Sequence, residues 1–127
     1  RRCAIRRRGQ MGISGSFMGP GAAYAHIAMG QAIADAGLSE DDAVNPMTGL
    51  IAGSGGPSTS AMFAAHQIVL KTGATKRIGP FAVPKTMSST VSANLATAYK
   101  IKGMNFSITS ACSTSLHCIG MAAQQIA

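Results

Sequence analysis

Apolar positions recur at helical spacing from Ala22 to Ala36 (AAYAHIAMGQAIADA), and Gly37 stands where a C-terminal stop is needed, so the pattern predicts a helix there. Leu38-Ser39-Glu40-Asp41-Asp42 holds the only acidic cluster and predicts a solvated loop or a helix start. Asn45-Pro46 marks a turn, and Thr48-Gly49-Leu50-Ile51-Ala52-Gly53 is a short apolar run bounded by glycine, the pattern of a buried strand. The glycine-rich turn Ser54-Gly55-Gly56-Pro57-Ser58 feeds a helix expected over Thr59 to Thr72. A loop follows from Gly73 to Pro84, then a helical stretch from Thr86 to Lys100, with Gly103 closing the segment. Asn105-Phe106-Ser107-Ile108-Thr109 alternates as a strand and runs through Ser110-Ala111-Cys112 into a final helix, Ser113 to Ala127. The order strand, helix, helix, strand, helix is that of a layered α/β protein. Residues 1–21 carry no strong element, and no internal repeat is present.

A length of 127 residues suits one domain. With 46% hydrophobic and 12% charged residues, disorder is excluded. Fifteen glycines, four phenylalanines, two tyrosines and no tryptophan imply a core built by close backbone approach. Three stretches, 9–34, 43–70 and 103–127, lack charge altogether. Each is broken by Gly, Ser, Gln, Asn, Pro or His, and none offers the roughly 18 unbroken apolar residues of a membrane span. They read as deeply buried segments, and an uncharged end at 103–127 suggests a chain that stops inside a larger core.

The net charge of +7 is a property of one end. Arg1, Arg2, Arg6, Arg7 and Arg8 supply most of it, whereas residues 9–127 carry six cations against four carboxylates. That distribution is a poor basis for nucleic-acid binding. Three cysteines (Cys3, Cys112, Cys118) are an odd number, which argues against a disulfide framework and for a reducing compartment. The basic start leads into Gly9-Gln10-Met11-Gly12, not into the apolar run of a secretory signal.

The sharpest chemical signal lies at Ser110-Ala111-Cys112-Ser113-Thr114-Ser115. A cysteine in the first turn of a helix sits at the positive end of the helix dipole, beside unpaired N–H groups. Such a place favours a thiolate and supplies donors for an oxyanion. The competing reading is a buried small hydrophobe, the commoner role of a free cysteine. His117 lies roughly 140° around the helix from Cys112. A base must come within about 3 Å of the proton it takes, so His117 reads as a hydrogen-bonded core histidine. Cys112, His117 and Cys118 share no face and make a poor metal site, and His26 and His66 are isolated. Gly53-Ser54-Gly55-Gly56 lacks the endings of the phosphate-binding loops, and signals backbone that must approach another strand or an acyl chain closely. Lys71, Lys76, Arg77, Lys85, Lys100 and Lys102 are scattered as a solvated face, which would also suit an acidic partner protein.

The run Asn105-Phe106-Ser107-Ile108-Thr109-Ser110-Ala111-Cys112-Ser113-Thr114-Ser115-Leu116-His117-Cys118-Ile119-Gly120 closely resembles the active-site segment of the bacterial β-ketoacyl-[acyl-carrier-protein] synthases, type I above all. The resemblance continues upstream through Pro80-Phe81-Ala82-Val83-Pro84-Lys85-Thr86-Met87-Ser88-Ser89, Gly49 to Gly56, and Gln31 to Leu38. It covers residues 17–127 as a partial amino-terminal domain, behind a divergent basic segment at 1–16.

The resemblance implies a thiolase-like fold of layers α-β-α-β-α, of which this chain carries most of the amino-terminal half, and a homodimer paired through the strand around Phe106 to Thr109. It implies a cytoplasmic acyltransferase of fatty-acid biosynthesis that works with acyl carrier protein. Cys112 would be the nucleophile and its backbone N–H an oxyanion donor. Gly56 and Met87 match positions that line the acyl pocket. No metal and no bound redox cofactor are implied, and neither a membrane nor a nucleic acid is an expected partner. The family's two catalytic histidines and lysine belong to the second half of the fold, and none of His26, His66 and His117 occupies a matching position. Arg1 to Ile5 resembles the family's opening strand, yet Phe17-Met18 arrives far too soon after it, as though a stretch were lost. The competing expectation is a catalytically incomplete fragment, inert or acting only as a dimerising interaction module.

Overall fold

The computed structural model describes residues 17–127. The basic run at Arg1 to Arg8 and Cys3 lie outside these residues. Six helices and two short strands follow in order: α1 (Pro20–Asp35), α2 (Glu40–Val44), β1 (Leu50–Ile51), α3 (Thr59–Thr72), α4 (Ala82–Thr86), α5 (Thr90–Tyr99), β2 (Asn105–Phe106) and α6 (Thr114–Ile126). Single 3₁₀ turns at Thr75–Arg77 and Ala111–Ser113 precede α4 and α6.

The helix ends lie where the stop and start residues stand. Pro20 opens α1, where its missing N–H costs nothing. Gly37 closes it at φ 70°, while the Leu38 N–H donates to the Ile33 carbonyl at 3.1 Å, a bond spanning the helix end. Ser39 then caps α2 reciprocally: its hydroxyl accepts the Asp42 N–H, and the Asp42 carboxylate accepts the Ser39 N–H at 2.8 Å. The acidic cluster is therefore a helix start. Ser58 caps α3 by accepting the Ala61 N–H, and Gly73 ends that helix at φ 65°.

Several expected elements change. The helix expected over Thr86 to Lys100 begins only at Thr90, and the loop expected over Gly73 to Pro84 already enters the short helix α4, because Met87 turns extended (ψ 146°) between the two helices. The Thr90 hydroxyl donates across the break to the Pro84 carbonyl, which fixes the angle between α4 and α5. Both strands are also shorter than their apolar patterns. β1 and β2 form a two-stranded parallel sheet with Leu50 opposite Asn105 and Ile51 opposite Phe106. Flanking bonds, Leu50 N–H to the Met104 carbonyl and Ala52 N–H to the Phe106 carbonyl, carry the pairing only slightly further. With one neighbour apiece among the described residues, the strands lack the ladder that would hold Gly53 or Thr109 in register.

The core is small-residued, as the composition implies. Ala22, Ala43, Val91, Leu95 and Cys118 are its buried apolar members. α1 packs on α5, and the Tyr99 hydroxyl donates to the His26 carbonyl at 2.8 Å between them. α5 also buries polar groups, all bonded: the Asn94 amide donates to the Thr90 carbonyl, and the Ser92 hydroxyl pairs with that of Ser107 beyond β2.

The expectation that 9–34, 43–70 and 103–127 are deeply buried is corrected for their described residues, since α1 buries only Ala22 and Gly30. α3 buries no residue, and α6 buries only Thr114 and Cys118. Leu116, Ile119 and Ile126 are 70%, 67% and 88% exposed. Lack of charge marks these faces as apolar, but no described element covers them.

Candidate active site

The segment after β2 does not enter α6 directly. Ser110 is followed by Ala111 at φ 45°, a left-handed conformation that costs an L-residue about 1–2 kcal/mol. The chain then makes its 3₁₀ turn, closed by the Ser113 N–H on the Ser110 carbonyl at 3.0 Å, and starts the helix at Thr114. Cys112 sits at the apex of this elbow and is exposed. The buried-hydrophobe reading is thus removed for Cys112; it is Cys118, one helical turn and more away, that takes the buried place.

Thr114 holds the elbow from beneath. Its hydroxyl accepts the Ser110 N–H at 2.8 Å and donates to the Ala111 carbonyl at 2.8 Å. The glycine turn lies against the same bonds. A Cβ on Gly55 would stand 2.9 Å from the Ala111 carbonyl oxygen. One on Gly53 would overlap the Ile108 carbonyl and come within 2.8 Å of the Thr114 methyl. The close approach read from these glycines is therefore made to the strand end and elbow that carry Cys112. Gly56 differs, for a Cβ there would meet nothing within 4 Å.

Gly56 and Met87 are both half-buried. Pro57, next to Gly56, shares the wall of an open pocket of about 520 Å³ with Thr86 and Ser88, which flank Met87, and with Met62 and Ala65. A second hollow of about 260 Å³ includes Ser54, Gly56 and Thr90 in its lining. The fold thus brings the Gly56 and Met87 segments to one region, while Cys112 lines neither hollow.

The histidines do not join the cysteine. His117 is exposed, contrary to its reading as a core residue, because the helix face it occupies has nothing packed over it. His66 is exposed on α3, and His26 stacks at a tilt on Tyr99, ring centres 5.1 Å apart. Among the described residues no three His, Cys, Asp or Glu side chains converge as a metal-binding group. No described helix is long and apolar enough to cross a membrane. The contributions of Thr114 and of the left-handed Ala111 were not visible in the amino-acid pattern. Only a Ser/Thr-rich helix start hinted at the first.

The profile of the family described as Beta-ketoacyl synthase, N-terminal domain, matches residues 9–127, and the chain belongs to that family. It is 53% identical over 110 residues to 3-oxoacyl-[acyl-carrier-protein] synthase 1 of Haemophilus influenzae, covering 87% of this chain and 27% of that protein. The protein of the same name from Escherichia coli K12 is 51% identical over 111 residues, with coverage of 87% and 27%. The solved structure of a beta-ketoacyl synthase from Burkholderia phymatum STM815 superposes with a TM-score of 0.74 at 25% identity, over 97% of this chain and 29% of that one. The layered fold is therefore that of the β-ketoacyl synthases. The chain spans about a quarter of the length of the curated relatives it matches.

Proposed function

We propose that the chain contributes the acyl-accepting cysteine of a 3-oxoacyl-[acyl-carrier-protein] synthase, with Cys112 as nucleophile and its backbone N–H as an oxyanion donor. The observation that carries this reading is the exposed Cys112 on a left-handed elbow at the head of α6. The Cys112 sulfur attacks the carbonyl carbon of an acyl thioester on the carrier protein, and the carbonyl oxygen becomes an oxyanion. The bond to the carrier sulfur then breaks, and the proton lost by Cys112 ends on the released carrier thiol. In the second half-reaction a malonyl-carrier thioester loses carbon dioxide. The resulting carbanion attacks the Cys112 thioester and frees the cysteine, which regains a proton. The product is a β-ketoacyl chain longer by two carbons.

Gly56 and Met87 belong to the acyl-binding wall in this reading. Gly56 leaves room, and Met87 supplies a flexible apolar surface. The carrier protein is the expected partner. An acidic partner surface would suit the exposed cations Lys71, Lys76 and Arg77 at the end of α3 and the turn after it. A homodimer paired along the segment Phe106 to Thr109, which follows on from β2, and a cytoplasmic setting complete the proposal. The exposed faces of α3 and α6 favour a second reading, in which these residues serve as an interaction module without turnover.

Intact-protein mass spectrometry after incubation with an acyl-carrier thioester separates the two. The expected result is one acyl adduct on the wild type and none on Cys112→Ala. A folded wild type that gains no adduct would overturn the nucleophile and leave the interaction module.

A further inference from the structure

We infer that Thr114 is the positioning residue for the Cys112 backbone amide, and thereby aims the N–H toward the place where the oxyanion forms. This rests on Cys112 being the acyl acceptor. Thr114 is 4% exposed and stands at the first residue of α6, yet its hydroxyl turns back into the elbow instead of bonding along the helix. The Ala111 carbonyl receives two donors from this single residue: the Thr114 hydroxyl and the Thr114 backbone N–H. That carbonyl and the Cys112 N–H belong to one planar, trans peptide, so they point in opposite directions and turn together. Holding the oxygen therefore holds the amide.

The need for such a hold follows from Ala111. At φ 45° it keeps a conformation that an L-residue adopts only under constraint. The Thr114 hydroxyl also occupies the Ser110 N–H, so it ties the residues on both sides of the Ser110–Ala111 peptide to the helix start. Gly55 closes the remaining side, since its α-carbon approaches the same Ala111 oxygen too closely to admit a side chain. Without the hydroxyl, the peptide before Cys112 loses one of its two donors, the Ser110 N–H loses its acceptor, and the amide is free to rock.

Two reactions of the same thiol distinguish positioning from bulk stability. Acyl transfer passes through an oxyanion and needs the aimed N–H. Alkylation by iodoacetamide displaces iodide at a saturated carbon and forms no oxyanion. Thr114→Val keeps the branched shape and the methyl beside Gly53 but removes the hydroxyl. We expect acyl transfer to Cys112 from an acyl-carrier thioester to fall about 10-fold to 100-fold, toward the cost of an oxyanion donor. The thioester concentration at half-maximal rate should stay within about 2-fold, as should Cys112 alkylation read by peptide mapping, because neither depends on the oxyanion. Thr114→Ser, which restores the hydroxyl, should recover the acyl-transfer rate. Thr114→Ala repeats the comparison with a smaller side chain. Acyl transfer unchanged in the valine and alanine variants, or alkylation and acyl transfer falling together, would overturn the inference. A wild type that alkylates at Cys112 but never acylates would instead overturn the acyl-acceptor reading on which it rests.

Discussion

Ala111 and Gly55 meet across the elbow that carries Cys112. An alanine side chain at Gly55 must push on the Ala111 carbonyl from 2.9 Å, and the obstacle is backbone, which cannot swing away as a side-chain tip would. At Gly56 the same methyl enters open space. Gly55→Ala is therefore expected to destabilise by about 1–3 kcal/mol, while Gly56→Ala stays within about 1 kcal/mol of wild type. Hydrogen exchange of the elbow amides in the two variants checks the contrast; equal losses of protection would mean that the elbow does not rest on the glycine turn. Sequence reasoning identified Gly53 to Gly56 as a point of close approach to another strand or an acyl chain, without choosing between them. Gly53 and Gly55 meet the carbonyl oxygens of Ile108 and Ala111, and a carbonyl leaves no mark on residue type. The same limit hid Thr114: its two bonds exist only because Ala111 takes a left-handed φ, which an alanine does not advertise. Cys112 drew attention because a first-turn position lies beside unpaired N–H groups, and its exposure is what the structure adds against the commoner buried role of a free cysteine.

Among the elements, α1 and α5 form the best-packed pair, and Tyr99 is the clasp between them. Its phenol donates to the His26 carbonyl while its ring stacks on the His26 ring. Burial raises the Tyr99 pKa above the ordinary value of 10.0. The phenol therefore ionises less readily in the folded chain than in the unfolded one. Its contribution to stability is fully present below about pH 10 and is lost as pH rises through the higher folded-state value. Tyr99→Phe keeps the ring and removes the donor, for an expected loss of about 0.5–1.5 kcal/mol at neutral pH. That variant should also lose less stability than wild type between neutral pH and strongly alkaline pH. An identical alkaline decline in both proteins would assign the decline to other groups. The helices were the legible elements, because their caps are written in residue type: Pro20, Gly37, Ser39, Ser58 and Gly73 each stand at an observed boundary. The strands were overextended in expectation because an apolar run reports that a segment is fit for a sheet, whereas its length in a ladder depends on neighbours.

At the scale of the molecule, the distribution of apolar surface sets the behaviour. α6 carries Leu116, Ile119 and Ile126 outward, and α3 carries Met62, Phe63 and Leu70. Side chains of this size each gain about 1.5–3 kcal/mol when buried, so several of them brought together by a second surface are comparable with the roughly 5–15 kcal/mol that holds an ordinary domain folded. The buried core offers little to oppose that pull, since its apolar members among the described residues are two alanines, a valine, a leucine and a cysteine. The chain on its own is thus expected to associate, or to form a loose compact state that binds a hydrophobic dye, and not to melt as a monomer in one sharp transition. If the apolar face of α6 drives this, Leu116→Lys with Ile119→Lys should shift the chain toward monomer in sedimentation at equal concentration, because two like charges on that stripe repel a second copy. Both residues are more than two-thirds exposed, so neither charge needs to be buried in the monomer, and helix content should be retained. Unchanged association in the double variant would move the sticky surface to α3, where Phe63 and Leu70, seven residues apart, lie along one side of the helix.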